Sequence, residues 1–423
     1  MNRVCVLSDF SNYDPAYSLC RVVQSQITML ACGGYKPRLL VRKGFQYDRH
    51  AADYEGAEIV ELDPGEIGGN VVNLTDKTGE EIGRLSAQML GALKDFDVVM
   101  SHDMIYQPNM FKYEIAGRRV AAVRPDLKWL HWVHSATKMG VHNKMGQFKK
   151  EVQGQFPNSR LVAMHTEEVM RKGALFGYEL DEIVIIPNAI DFCESFDPAA
   201  KQMVARADLM KADVIAFYPC RLDRGKQPHI IIEIFAELCK MGFNARVVIA
   251  DFHSIAGDKL TYRDEMKKQA DDLDVPVFFT SDMEGRWDGA PYNYCIPHKA
   301  VLDLMEVADV IVHPSVSECD PLILPEAMWK RCGLVLNFDL PVFRQYDGKA
   351  LLYKFSSAID VNTGMPGSTT TTYANRQDYM KHVAAGIAYQ MEHNPVLRLH
   401  AEARKTRSLE GVWPTLWAAI EGM

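Results

Sequence analysis

The feature that most constrains the fold is a repeated change of hydrophobic period. Short apolar runs rich in β-branched residues alternate with longer amphipathic stretches. RVCVLS (3–8) is followed by the polar, turn-rich segment DFSNYDPAYSL. A helix with an apolar face then runs across Val22 to Leu30 and is closed by Gly33 and Gly34. PRLLVRKG, AEIVEL and FDVVMSH continue the strand series, with a helix around Gly83 to Leu93 between the last two. This rhythm builds a parallel sheet covered by helices on both faces, the α/β doubly wound class. A chain of 423 residues exceeds what one core serves, so two such domains are expected.

Bulk composition excludes several classes. Hydrophobic residues make up 48% and charged residues 24%, as in ordinary globular proteins. A formal net charge of -8 argues against a nucleic-acid binder that works by general basicity, though it leaves room for a local basic groove. No apolar run reaches transmembrane length. MNRVCVLSDF enters a strand directly, without a signal sequence, and a cytoplasmic location is expected. The nine cysteines are scattered without C-x-x-C spacing, which reads as reduced core thiols rather than a zinc site. Asp272-Leu273-Asp274 spells D-x-D, but it falls at a helix end before the strand VPVFFT, and no metal site is read there.

The most informative stretch is ADVIVHPSVSECDPLILPEAM (308–328). Val310 to Val312 reads as a strand buried on both faces, ended by Pro314 and Ser315. Glu318 lies in the following loop. Glu326 comes eight positions later, just after Pro325, which is placed to open a helix whose first turn favours an acid. A loop from a strand's carboxyl end into a helix N-terminus is where open α/β sheets bind phosphorylated ligands.

Over these residues the chain resembles the retaining GT-B glycosyltransferases with the E-x7-E signature, the group-1 or family-4-like enzymes. Ala308, Asp309, Pro314, Ser315, Glu318, Glu326, Ala327 and Met328 carry the match. IVIIPNAID is similar to the family's turn at the end of its first domain, with Ala189 in place of a common glycine; Asn188 reads as the residue that fixes this turn. In PCRLDRGKQ, Arg221 and Lys226 have the family's five-residue offset, while Cys220 and Gln227 replace its glycines. Glu318-Cys319-Asp320-Pro321-Leu322 departs from the family's glycine-containing loop, so the contact to the donor sugar must differ, and a donor such as a pentose is admissible.

The resemblance implies a GT-B fold of two Rossmann-like domains facing a cleft, with the C-terminal helix crossing back to the first domain. The expected limits are 1–195 for the acceptor-side domain and 196–395 for the nucleotide-sugar domain. Residues 396–423 are expected to form terminal helices packed on the first domain, with Trp413 and Trp417 supplying one face. The implied activity is transfer of a hexosyl or pentosyl group, with retention, from a nucleoside-diphosphate sugar. No cofactor or metal is required. Arg221 and Lys226 would bind the diphosphate, Glu326 the ribose, and Glu318, Asp320 and Leu322 the sugar. His134, at the end of the strand KWLHWVH, would stand at the reacting side, with His131 pointing the other way. By the same resemblance, loop 282–297 lies where the base is recognised, although its aromatics also suit plain packing.

Asp9 and Ser11 are candidate acceptor contacts, and equally candidate turn or cap residues. Between 118 and 150 the cations Arg118, Arg119, Arg124, Lys128, Lys138, Lys144, Lys149 and Lys150 face one acid within that count, Asp126. This stretch reads either as solvated surface or as the site of an anionic acceptor, DNA or a membrane-surface lipid, with Lys138 on the acceptor side. The acceptor is therefore either a glycan or lipid, or a hydroxylated DNA base. The rival readings are a sugar-nucleotide epimerase on the same fold and an inactive nucleotide-sugar binder.

Overall fold

The computed structural model describes residues 2–9, 17–44, 51–67, 72–105, 107–134, 144–252, 259–283, 286–287, 290–291, 296–359, 366–369 and 375–423. The chain divides into two compact units, Met1–Asp191 with Arg407–Met423, and Phe192–Thr406. Ser11 and Lys138 lie outside the described residues, as does most of loop 282–297.

The first unit is built on seven parallel strands: β1 (Val4–Leu7), β2 (Arg38–Arg42), β3 (Glu58–Leu62), β4 (Val98–His102), β5 (Lys128–Trp132), β6 (Ser159–Ala163) and β7 (Ile183–Ile185). Their order is β3-β2-β1-β4-β5-β6-β7. Side chains alternate across the sheet as period two demands. Val4, Val6, Val98 and Met100 pack on one face with the helix Ser18–Cys32. Cys5, Leu7, Val99 and Trp129 pack on the other, with the helices Thr78–Ala92 and Phe111–Val123. The second unit repeats the plan with β8 (Val214–Arg221), β9 (Ala245–Phe252), β10 (Val277–Phe279), β11 (Val310–His313), β12 (Gly333–Asn337) and β13 (Leu351–Tyr353). Their order, β10-β9-β8-β11-β12-β13, is the same pattern, again parallel throughout. Both units are thus Rossmann-like and doubly wound. In each, the order reverses between the first and fourth strands, and the crevice at the carboxyl ends of those strands is the expected ligand site.

The terminal stretch splits. The helix Pro395–Arg407 lies almost entirely in the second unit and Leu409–Glu421 in the first, so of the terminal helices expected over 396–423 only the last groups with the first unit. The anchor is Asp309. Its fully buried carboxylate accepts from Arg404 Nη1 and Nη2 at 3.0 and 2.9 Å and from the Ile215 N–H at 2.8 Å. Arg404 also donates to the carbonyls of Val307 and Ala212. Leu409–Glu421 buries Val412, Leu416, Ala419 and Ile420 against β1, β2 and Ser18–Cys32. Trp413 lies on Gly33, where an added Cβ would meet its ring at 2.3 Å, and Tyr35 Oη donates to Glu421. Trp417 does not share this packing; it is 49% exposed. No helix among the described residues is long and apolar enough to cross a membrane.

Candidate functional site

In the second unit the crevice lies between the ends of β8 and β11. Arg221 ends β8, and Asp223 to Gln227 turn tightly before the helix Pro228–Lys240. Gln227 has φ 51°, a left-handed conformation that costs a non-glycine residue about 1 kcal/mol. This explains why glycine suits the position in the enzymes the motif resembles. Here the Gln227 amide donates 2.8 Å to the Pro314 carbonyl and ties the two crevice loops together. A backbone bond from Val316 N–H to the Gly225 carbonyl reinforces the tie.

That tie sets the geometry of the charged groups. Lys226 Nζ donates 2.5 Å to Glu318 Oε1, with the two side chains 21% and 12% exposed. The same carboxylate oxygen lies 3.6 Å from His313 Nε2. Tyr218 Oη stands 3.4 Å from His313 Nδ1 and donates to the Lys226 carbonyl at 3.2 Å. Burial pushes His313 down to about 4, against the opposing pull of Glu318, so its ring is neutral at pH 7. Arg221 is half-exposed beside Asp223, at 3.3 Å. Glu326 does not join this cluster but receives His298 Nε2 at 2.9 Å. Asp320 and Leu322 are exposed. The helix begins at Ile323, two residues before Pro325, because Leu322 already has helical dihedrals. Pro325 is tolerated there because the first turn's N–H groups have no intrahelical acceptor.

In the first unit the crevice lies between the ends of β1 and β4. His134 follows β5, and its backbone N–H donates to Asp103 Oδ1 at 2.8 Å. Its ring Nε2 is 2.8 Å from His102 Nδ1, and His102 Nε2 is 2.9 Å from Gln26 Oε1. Burial drives the pKa of both rings down, His102 well below the ordinary value. His131 is placed apart from them: it packs on Trp129 and Phe156 beside Ser101, and burial pushes it to about 3. Both carboxyl oxygens of Asp9 are buried without a hydrogen-bond partner among the described residues. Burial raises Asp9 to about 6, while Arg42 opposes the shift. The Asn188 side-chain oxygen likewise finds no partner among the described residues, so the turn-fixing bond expected of it is not formed through that atom.

Among the described cations of 118–150, the three arginines are taken up in contacts within the fold. Arg118 is buried, bonded to Glu114 and to the carbonyls of Gly154 and Gln155. Arg119 is clamped on Glu151, at 2.8 and 3.0 Å. Arg124 binds Asp126 and the carbonyls of Leu93, Lys94 and Phe96. Lys144, Lys149 and Lys150 remain exposed.

Sequence reasoning missed Tyr218, His298, His313, His102 and Gln26. His102 and His313 each end an apolar strand run, the same signal that singles out His134. Gln26 carries no local signal, because its role depends on a residue 76 positions away.

No family model and no curated protein matches the chain. Among solved structures it is similar to a glycosyltransferase from Rickettsia africae ESF-5, at 11% identity and TM-score 0.37, over 100% of this chain and 98% of that one. It is similar to Anabaena Alr3699/HepE in complex with UDP-glucose, at 12% identity and TM-score 0.36, over 100% of both chains. WaaG, a glycosyltransferase involved in lipopolysaccharide biosynthesis, matches at 14% identity and TM-score 0.33, over 99% of this chain and 100% of that one. Likeness at this level says nothing of activity. The fold rests on the two strand orders.

Proposed function

We propose that the protein is a retaining glycosyltransferase that moves a sugar from a nucleoside-diphosphate donor to an acceptor hydroxyl. The observation that carries this reading is the Lys226–Glu318 pair at the second unit's strand-order reversal, backed by neutral His313 and flanked by Arg221. A crevice with two loop cations at the carboxyl ends of parallel strands suits a diphosphate, whose charge grows as it leaves. Glu318 and Glu326 are hydrogen-bond acceptors matched to sugar and ribose hydroxyls, and Asp320 and Leu322 line the altered sugar loop. His134 takes the reacting side, with Asp9 as the acceptor-side carboxyl of the first unit.

In the reaction proposed, the acceptor oxygen bonds to the anomeric carbon on the face from which the phosphate departs. The carbon–oxygen bond to phosphate breaks, and the acceptor's proton passes to the departing phosphate oxygen. A glycan or lipid is the acceptor favoured over DNA, because Arg118, Arg119 and Arg124 are already paired, which leaves Lys144, Lys149 and Lys150 as the exposed cations described in that stretch.

The test is a thermal-shift screen of nucleoside diphosphates and their sugars on the full chain, repeated with Arg221→Ala and Lys226→Ala. One diphosphate sugar should raise the melting temperature, and both variants should weaken that shift. A chain that responds to no diphosphate, at millimolar concentration, would remove the transferase reading.

A further inference from the structure

The first unit joins three polar side chains in a line, of which the transferase reading uses only the last, His134. Gln26, on the helix Ser18–Cys32, is buried, and its Oε1 lies 2.9 Å from His102 Nε2. His102, the last residue of β4, is also buried, and its Nδ1 lies 2.8 Å from His134 Nε2. The two rings are nearly parallel, 11° apart with centroids at 5.1 Å, and Trp132 flanks His102 at 5.6 Å.

The proton positions follow from donor and acceptor counting. An amide oxygen only accepts, so His102 Nε2 must carry a hydrogen. A neutral imidazole has one ring hydrogen, which leaves His102 Nδ1 as a lone pair. The 2.8 Å contact then needs its hydrogen from His134 Nε2, and the His134 Nδ1 is left as a lone pair in turn. Neutrality of both rings is imposed by burial. Around His134 the acids Asp103 and Glu168 favour charge, while Lys172 opposes it. Lys172 is held in place by the Val133 carbonyl and Glu168, both at 2.6 Å.

We infer that His102 and Gln26 are positioning residues that lock His134 in one tautomer, so that its Nδ1 serves as a hydrogen-bond acceptor for a hydroxyl of the substrate. The partner implied is a neutral hydroxyl rather than an anion, because a lone pair faced by phosphate would repel it. The tautomer lock stands on the hydrogen-bond geometry and on burial keeping both rings neutral. Only its use toward a sugar or acceptor hydroxyl rests on the transferase reading.

The experiment is nitrogen-15 NMR on the full chain with labelled histidine, at pH 7 and without substrate. Expected are a scalar coupling across the N–H···N bond between His134 Nε2 and His102 Nδ1, and an unprotonated shift for His134 Nδ1. His102→Phe keeps ring volume without an acceptor, and should mix the His134 tautomers. His102→Asn, whose Oδ1 replaces Nδ1, should restore the lock. A protonated His134 Nδ1, an absent coupling, or identical behaviour of the Phe and Asn variants would overturn the inference. Should His102→Phe not fold, the coupling and the Nδ1 shift of the unmodified protein decide it. In turnover, losing the lock should lower kcat/KM about five- to tenfold with an altered pH profile, and the Asn variant should recover both. An intact coupling in a chain that turns over no nucleotide sugar would count against the transferase reading and leave the tautomer lock standing.

Discussion

Glu318→Gln should tighten the binding of a nucleoside diphosphate, although Glu318 belongs to the site. Lys226 Nζ is held by Glu318 Oε1 at 2.5 Å with both groups largely sheltered from water. His313 is neutral at pH 7 and does not offset the carboxylate. Two unit charges about 4 Å apart interact by about 4 kcal/mol at the effective dielectric near a protein surface. Desolvation returns much of this, so a hydrogen bond to a charged group nets about 1.5–3 kcal/mol, against about 1 kcal/mol for a neutral one. Glutamine keeps the acceptor oxygen and the shape but removes the charge. The difference, about 0.5–2 kcal/mol, becomes available to an incoming phosphate, which corresponds to about two- to thirtyfold tighter binding. Lys226→Met should weaken the same ligand by about tenfold or more, since the cation itself is lost. For the intact nucleotide sugar the Glu318→Gln gain should shrink, because the carboxylate is then missed by sugar hydroxyls. Isothermal titration of the best nucleoside diphosphate from the thermal screen and of its sugar, at pH 7, measures all three. Diphosphate affinity unchanged or reduced in Glu318→Gln, with circular dichroism intact, would refute the competition between Glu318 and phosphate for Lys226.

Three further outcomes are expected. Asp309→Ala strands the buried Arg404 without its counter-charge and should cost about 3–5 kcal/mol in urea unfolding of the second unit, whereas Asp309→Leu with Arg404→Met should recover at least half. His313, pushed down to about 4 in the fold, charges only in the unfolded chain as pH falls below about 6.5, so its contribution is complete above that value and lost on the way down. That single group should remove about 2 kcal/mol between pH 7 and 5, and His313→Gln should flatten the pH dependence of the second unit's unfolding; Asp9, raised to about 6, works in the opposite sense in the first unit. Leu416→Ala opens a cavity where the terminal helix meets the first unit's sheet and should cost about 2–5 kcal/mol, while Trp417→Ala, on the exposed side, should stay within about 1 kcal/mol by the same unfolding measurement.

The strands were legible because their signal is local. Runs such as VVMS and VIV are β-branched and apolar on both faces, and they became the central strands β4 and β11. Of the residues singled out by the motifs, Lys226 and Glu318 lie together in the fold, a pairing that the sequence did not announce. What failed was reading charge and burial from neighbours in sequence. Asp309 lies inside the stretch that resembles a catalytic signature, yet it is a structural anchor, because its partner Arg404 is 95 residues away. Arg118 looked like surface charge, but its acceptors are the carbonyls of Gly154 and Gln155, placed by a turn that no local pattern announces. Trp413 and Trp417 are four apart and should share a helix face, yet only Trp413 meets Gly33. The face that is buried depends on where the helix docks, not on its own periodicity.

The two units solve the same problem with the same device and then diverge in charge. In each, an aspartate just before the fourth strand accepts from a first-strand or adjoining N–H: Asp97 from Arg3 at 2.7 Å, Asp309 from Ile215 at 2.8 Å. In each, that strand ends in a buried histidine kept neutral, His102 and His313, at the reversal of strand order. A neutral ring there supplies a directional hydrogen bond without committing the crevice to either sign of ligand. The sign is set by the loop after the first strand. In the second unit that loop brings Arg221 and Lys226; in the first it begins with Asp9, whose carboxylate has no partner among the described residues. On the transferase reading, the anionic half of the reaction therefore belongs to the second unit and the hydroxyl-bearing half to the first. Exchanging the signs should separate the two roles. Asp9→Asn should raise the KM for the acceptor and leave diphosphate affinity within about twofold, because it removes an acceptor-side carboxylate and no phosphate contact. Lys226→Met should do the reverse. If Asp9→Asn instead changes diphosphate affinity as much as Lys226→Met does, the division of charge between the units is wrong.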